Sequence, residues 1–186
     1  VREKFVLPFD KKIIFFGAVG LEEKRKGFIY LQEALNLLKK LVNNNISNKI
    51  HLAIAGHYSK EFSNIFPFTY SYLGFVDLNK LATIFQAVDI YLNTSIEDSG
   101  PMMINQAIVS GVPVVAFNIG VATDLIIPGK TGFLADIENS EQLARGLKKI
   151  IELDEKEYSI ISNNCRVLGE KNCNRYNVAK AIVEYI

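Results

Sequence analysis

The sequence predicts an α/β protein with a doubly wound parallel sheet of the Rossmann-like type. Short apolar runs rich in β-branched and aromatic residues alternate with longer segments whose apolar residues recur at helical spacing. Strands separated in this way by helices form parallel sheets with helices on both faces. With 186 residues, 49% of them hydrophobic, the chain can bury a full core as one domain.

The individual elements follow from these patterns. Six apolar runs predict strands at 12–18, 51–56, 69–76, 88–93, 112–117 and 132–134. Helical spacing of apolar residues predicts helices at 28–42, 78–87, 140–153, 155–169 and 176–186. We therefore expect a single domain, 1–186, in which 154–186 is a C-terminal helical segment.

Composition excludes several classes of protein. The net charge is +1, from 21 basic and 20 acidic residues, so no overall field attracts nucleic acid. No apolar run approaches the ~18 residues of a membrane span, and the N-terminus lacks the pattern of a signal peptide. Cys165 and Cys173 have no metal-ligand spacing, which favours a reduced, cytoplasmic protein. The abrupt start before the first strand suits a piece of a longer protein.

The most informative segment is 95–117, which joins a strand end, a turn and a helix. Ser99, Gly100 and Pro101 form a helix-opening sequence, with a small capping residue and then proline in the first turn. The free amides and the positive dipole end of such a helix favour an anion, so a phosphate is expected at Gly100, Pro101 and Met102.

Two polar residues bracket this predicted helix. Asp98 lies just before it and Gln106 two turns into it, and the helical period lets Met102 and Gln106 share a face. We expect that face to point toward the same binding-site opening as Asp98. Ligands of such sheets bind at the carboxyl ends of strands, where the sequence also places Gly17, Gly56, Gly74 and the segment 97–103.

Six ordered segments resemble one family: GAVGLEEKRKGF, IAGH, LGFV, NTSIEDSGPMMINQA, SGVPVVAF and PGKTGFLA. They are similar to the nucleotide-sugar-binding domain of GT-B glycosyltransferases, in the retaining family-four group (glycosyl transferases group 1), from about Lys12 to Leu153. The resemblance implies the C-terminal half of a two-domain enzyme that transfers a sugar from a nucleoside diphosphate to an acceptor glycan or glycolipid. It implies an absent N-terminal acceptor domain, no cofactor or metal, polysaccharide biosynthesis, and a cytoplasmic location that leaves peripheral membrane association open.

The resemblance also assigns site residues. The family's two donor-contacting glutamates, eight positions apart, fall on Asp98 and Gln106, while Glu97 replaces Asp98 if the register slips by one. Lys26 matches the lysine that pairs with the diphosphate. Arg25 is the expected replacement for an arginine that many relatives carry at the position of Ala18.

The remaining assignments concern the nucleotide. The resemblance places His57 beside it, and the backbone around Gly74 and Phe75 reads its base. Backbone amides at Met102 and Met103 serve the phosphate.

Structural alternatives exist for these residues. Lys24, Arg25 and Lys26 could be a solvated surface, although three cations at a helix start oppose the helix dipole and suggest an anion instead. Asp98 could be a helix cap and Gln106 an exposed helical residue. His57 could lie in a surface loop, Gly74 and Phe75 could just close a strand, and Met102 and Met103 could fill the core.

Three functional alternatives compete with glycosyl transfer. A catalytically inactive nucleotide-sugar-binding module is consistent with the altered pair of Asp98 and Gln106. A sugar-nucleotide epimerase of the same architecture is the second. A nicotinamide dehydrogenase is disfavoured, because FFGAVG lacks the G-x-G-x-x-G turn and no acidic residue ends the second strand.

Overall fold

The computed structural model describes residues 1–58, 65–98 and 102–184. Within them the strands are β1 (Lys12–Gly20), β2 (Ile50–His57), β3 (Thr69–Gly74), β4 (Ile90–Asn93), β5 (Val114–Phe117) and β6 (Gly132–Ala135). The helices are α1 (Phe28–Leu41), α2 (Asn44–Asn48), α3 (Leu78–Phe85), α4 (Met102–Val109), α5 (Ala122–Leu125), α6 (Ser140–Ile151), α7 (Glu155–Asn172) and α8 (Arg175–Glu184). The six predicted strands and the longer predicted helices are confirmed, with their ends shifted by a few residues.

The strands form one parallel sheet in the order β3-β2-β1-β4-β5-β6. The chain builds outward from β1 to β3 and then returns to β4 on the other side of β1. Strand order therefore reverses between β1 and β4, and this switch point is where sheets of this kind form a ligand crevice. The predicted fold class, a doubly wound parallel α/β sheet, is confirmed.

Alternate side chains of the strands enter two separate cores, because successive residues of a strand point to opposite faces. In β1, Ile14 and Phe16 pack with the buried residues of α1 and α6. Ile13 and Phe15 pack on the other face, with those of α3, α4 and α7. Burial on both faces explains why these strands are continuous apolar runs in the sequence.

Four short elements were not predicted: 3-10 helices at Arg2–Phe5 and Lys24–Lys26, and the helices α2 and α5. Each has three to five residues, too few for a helical period to be visible in the sequence. In α2 the local signal is the cap, since the side chain of Asn43 accepts a hydrogen bond from the Ile46 amide at 2.9 Å.

The C-terminal segment is helical, as predicted, and begins with a capping box. The Asp154 side chain accepts from the Glu157 amide at 2.8 Å, and the Glu157 carboxylate accepts from the Asp154 amide at 3.1 Å. None of the helices in the described ranges is long and apolar enough to cross a membrane.

Candidate functional site

A cavity of about 470 Å³ lies at the carboxyl ends of β1, β2 and β4, at the switch point of the sheet. Its polar lining residues include Arg25, Lys26, Asn93, Ser95 and Asp98. Its apolar lining residues include Phe75, Val76, Leu78, Leu81, Met102 and Met103. A lining that combines cations with apolar side chains suits a ligand with a charged part and a less polar part.

Glycines let the backbone form part of the cavity wall. Gly17 and Gly56 lie at the ends of β1 and β2 and line the cavity. Gly56 has φ +138, and a Cβ there would collide with the carbonyl oxygen of Ala18. At Gly17 a Cβ would lie 2.8 Å from the Met103 methyl carbon. Of the predicted donor-site glycines, Gly17 and Gly56 are therefore at the cavity, where a side chain would distort its wall.

The basic segment before α1 is held against the loop that follows β4. The hydroxyl of Thr94 donates to the Lys26 carbonyl at 3.0 Å, and the Ile96 amide donates to the Arg25 carbonyl at 2.9 Å. Gly27, at φ +65, allows this contact, because a Cβ there would collide with the Thr94 carbonyl. These bonds fix the backbone that carries both cavity-lining cations.

The two cavity-lining cations each have a carboxylate partner. Lys26 Nζ lies 2.7 Å from Asp98 Oδ2, and these side chains are only 16% and 14% exposed. Arg25 pairs with Glu23 at 2.7 Å, at a more exposed position. Both cations therefore have a structural role that their opposition to the helix dipole does not reveal, since carboxylates of the fold pair with them. Lys26 and Asp98 lie together at the cavity.

The placement of Glu97 and Lys24 separates them from the site. Both side chains are exposed, and neither lines the cavity. Asp98 does line it, so the register that places the site carboxylate at Asp98 rather than Glu97 agrees with the geometry.

At the end of β4, three residues form a hydrogen-bonded series in the cavity wall. The Ser95 amide donates to Asn93 Oδ1 at 2.9 Å, and Asn93 Nδ2 donates to the Tyr91 hydroxyl at 3.3 Å. Burial raises the pKa of Tyr91 far above its usual value, so the hydroxyl stays protonated at neutral pH.

His57 and Phe75 form an aromatic pair beside the cavity. Their rings stack with centroids 4.8 Å apart and an interplanar angle of 11°. Phe75 lines the main cavity, whereas His57 lines a neighbouring one that also includes Tyr72. Gly74 precedes Phe75 in a left-handed conformation, φ +65, which directs the chain out of β3. His57 is thus adjacent to the main cavity rather than within its lining.

Gln106 lies elsewhere. It lines a second cavity, of about 400 Å³, with Asn105 and residues of α7 and α8. The expectation that Gln106 shares a binding-site opening with Asp98 is wrong, because the face of α4 that carries Gln106 packs toward other helices. Its Oε1 is buried and has no hydrogen-bond partner in the described part of the chain.

The two methionines at the start of α4 both line the main cavity. Met102 is 57% exposed, so the alternative that it fills the core is wrong, and Met103 is partly buried. The predicted residues Ser99, Gly100 and Pro101 lie outside the described residues.

Several cavity residues were missed from the sequence. Asn93 and Ser95 could have been predicted, since they are polar residues at the end of a buried strand. Tyr91 could not, because it is indistinguishable from the other apolar residues of its strand. Among the described residues, no three His, Cys, Asp or Glu side chains are grouped as metal ligands.

Comparison with known proteins agrees with this geometry. The chain is 28% identical to an uncharacterized glycosyltransferase of Methanocaldococcus jannaschii, over 100% of the chain and 54% of the relative. It is 25% identical to UDP-Gal:alpha-D-GlcNAc-diphosphoundecaprenol alpha-1,3-galactosyltransferase of Escherichia coli, over 98% and 46%. The crystal structure of Anabaena HepE in complex with UDP-glucose superposes with a TM-score of 0.75 at 20% identity, over 99% of the chain and 50% of HepE.

The chain thus spans about half the length of the relatives it matches. The fold is that of the GT-B structures, as expected from the resemblance. The model of the family glycosyl transferases group 1 matches residues 2–167, nearly the whole of the sheet and its helices. The chain belongs to the glycosyl transferases group 1 family.

Proposed function

We propose that this chain is the donor domain of a glycosyltransferase and binds a nucleoside-diphosphate sugar in the cavity between β1 and β4. The observation that carries the proposal is that cations and apolar side chains line the same cavity at the switch point of the sheet. The cations suit a diphosphate and the apolar side chains a nucleobase.

Lys26 and Arg25 are the proposed diphosphate ligands. The Lys26 ammonium has three donors, of which Asp98 takes one in the structure. As the bond between sugar and diphosphate breaks, negative charge grows on the leaving group, and fixed cations stabilise it more than the ground state. Cations held in this way supply the charge that a metal ion would otherwise supply, so we propose a metal-independent reaction.

Asp98 is the proposed contact of the donor sugar. Its carboxylate faces the cavity beside Lys26, where it can accept hydrogen bonds from sugar hydroxyls. Backbone amides at Met102 and Met103 remain part of the proposed phosphate site. The stacked pair of His57 and Phe75 is the proposed neighbour of the base.

We propose a uridine nucleotide as the first candidate. The Escherichia coli relative is named for UDP-Gal, and the Anabaena structure holds UDP-glucose. Family membership supports glycosyl transfer, and the retaining group that the sequence resembles implies retention, with the leaving diphosphate accepting the acceptor's proton in a front-face displacement.

Because the chain spans about half of its relatives, we propose that a second domain binds the acceptor glycan or glycolipid. The isolated chain would then fold, bind the nucleotide weakly and transfer nothing. For the full-length enzyme we propose a cytoplasmic or membrane-peripheral location and a place in polysaccharide biosynthesis.

A catalytically inactive binding module is the second candidate, favoured by the position of Gln106 outside the cavity. A full-length protein that binds UDP-sugar but neither transfers nor hydrolyses it supports this candidate. Release of an epimer without acceptor would instead support an epimerase.

Titration calorimetry of this chain with UDP and GDP tests the proposal. Heat of binding at up to millimolar UDP is expected, with inorganic sulfate as the control for unspecific anion binding. Absence of binding by both nucleotides contradicts the proposal, and sugar transfer by this chain alone contradicts the need for a second domain.

A further inference from the structure

Tyr91 is a cavity-lining tyrosine whose hydroxyl proton has no acceptor among the described residues. Its ring packs against Phe15 and Phe85, with ring centroids 5.9 and 5.6 Å away, and the residue is 2% exposed. Tyr91 and its hydrogen-bond partner Asn93 both line the cavity. The Tyr91 ring thus belongs to the core, while its hydroxyl is bonded to a side chain of the cavity lining.

The Tyr91 hydroxyl can both donate and accept a hydrogen bond, and the orientation of the Asn93 amide determines which of the two it does here. The Ser95 amide donates to Asn93 Oδ1, so the other end of the Asn93 amide, the Nδ2 donor, faces Tyr91. The Tyr91 oxygen accepts this bond. Its own proton must be donated elsewhere, and the bond with Asn93 is its one hydrogen bond in the described part of the chain.

Tyr158 provides an internal comparison. Burial raises the pKa of both tyrosines, so both hydroxyls remain donors at neutral pH. The Tyr158 hydroxyl donates to the Asp89 carbonyl at 2.8 Å, so its proton is used within the fold. A buried donor without an acceptor is unfavourable, and a ligand in the cavity would remove this deficit at Tyr91.

We propose that Tyr91 is a ligand-binding residue whose hydroxyl donates to an oxygen of the bound nucleoside diphosphate. Asn93 is its positioning residue, because the amide turns the hydroxyl proton away from itself. This inference rests on the proposed function, and it adds a recognition group to the cavity that Lys26 and Arg25 also line.

The test compares Tyr91→Phe with wild type by titration calorimetry, using UDP, uridine and inorganic pyrophosphate as separate probes. Tyr91→Phe should bind UDP about 10-fold more weakly, the effect of one hydrogen bond to a charged acceptor. A parallel loss with pyrophosphate assigns the acceptor to a phosphate oxygen, and a parallel loss with uridine assigns it to the nucleoside. Either pattern supports the proposal.

Tyr158→Phe is the matched control. It removes a hydroxyl that already has an acceptor, so it should lower the melting temperature and leave the UDP dissociation constant within twofold of wild type. A melting scan establishes that Tyr91→Phe is folded. Should it not fold, Asn93→Asp replaces it, since the new carboxylate accepts the Tyr91 proton. UDP should then bind more weakly, and uridine, which is uncharged, should also bind more weakly if the acceptor is a nucleoside oxygen.

The outcomes separate the two claims. If wild type binds UDP and folded Tyr91→Phe binds all three probes as tightly, the role of Tyr91 is wrong while the proposed function stands. If Asn93→Asp has to be used and binds both UDP and uridine as tightly as wild type does, the role of Tyr91 is likewise wrong. If wild type binds none of the probes, the proposed function itself is wrong.

Discussion

Two ion pairs of similar length and burial lie at opposite ends of the sheet and differ in how fully their donors are used. Arg2 meets Asp89 at the amino ends of the strands, and Lys26 meets Asp98 at the carboxyl ends, each at 2.7 Å. The exposed fractions are 19% and 16% for the first pair and 16% and 14% for the second. Burial and distance alone do not distinguish them.

The first pair is satisfied within the fold. Besides Asp89, the Arg2 guanidinium donates to the carbonyls of Ala87, Pro8, Phe9 and Lys11, at 2.8 to 3.2 Å. Its donors thus tie the N-terminal segment to the sheet.

The second pair keeps unused donors at a cavity. Among the described residues Lys26 Nζ bonds to Asp98, which leaves further ammonium donors for a ligand. An ion pair therefore does not by itself indicate a binding site. Hydrogen-bond donors of the pair that have no partner in the fold do.

The largest effect is expected from breaking the structural pair. Arg2→Ala should lower the free energy of unfolding by about 3 kcal/mol, the lower end for a buried pair, because both side chains keep some exposure. Urea denaturation measures this loss, and UDP affinity should stay within twofold of wild type. Arg145→Ala, at an exposed pair with Glu141, is the control and should change stability by less than about 1 kcal/mol. Equal losses of unfolding free energy in Arg2→Ala and Arg145→Ala would contradict the structural role of Arg2.

Breaking the other pair should weaken binding. Lys26→Met removes the ammonium but keeps an apolar stem, and UDP binding should weaken by about 1.5 to 3 kcal/mol, as for a hydrogen bond to a charged group. Arg25→Ala should weaken UDP binding by a comparable or smaller amount. Calorimetry measures both, and the loss of unfolding free energy in Lys26→Met should be smaller than in Arg2→Ala. Lys24→Met is the control, and a larger effect there than at Lys26 would show that the basic segment is wrongly assigned.

Removing the carboxylate of the same pair should separate binding from turnover. Asp98→Asn frees the Lys26 ammonium and removes a negative charge near the phosphates, so UDP affinity should stay the same or rise. Turnover of the full-length enzyme should fall about 10-fold, equivalent to about 1.4 kcal/mol of transition-state stabilisation. Glu97→Gln is the control, since Glu97 does not line the cavity. Loss of turnover in Glu97→Gln alone would move the site carboxylate to Glu97.

The smallest effect is expected at Gln106, and it tests the position of α4. Because Gln106 lines a different cavity from Lys26 and Asp98, Gln106→Ala should leave UDP affinity within twofold of wild type. The resemblance alone predicts a clear loss of UDP affinity, because it assigns Gln106 to the ribose hydroxyls. Calorimetry with UDP and uridine distinguishes the two, and an equal loss with both would restore Gln106 as a ribose contact.

The sequence by itself determined the type of elements, their succession and the end of the sheet that holds the site. These properties are local: continuous apolar runs specify strands buried on both faces, and Leu31, Leu35 and Leu38 specify the buried stripe of α1. Parallel strands with crossover helices then gather every strand end, from Gly17 to Asp98, at one edge.

The tertiary structure decided which side chains meet there. The partners of both ion pairs are far apart in the chain, and their contact depends on β4 lying next to β1, which no local pattern specifies. The direction of the Tyr91 proton depends on the Asn93 amide, and the placement of Gln106 on the packing of α4 against other helices. Whether a hydrogen-bond donor finds a partner within the fold depends on how distant segments pack. The donors that remain for a ligand are therefore a property of the fold.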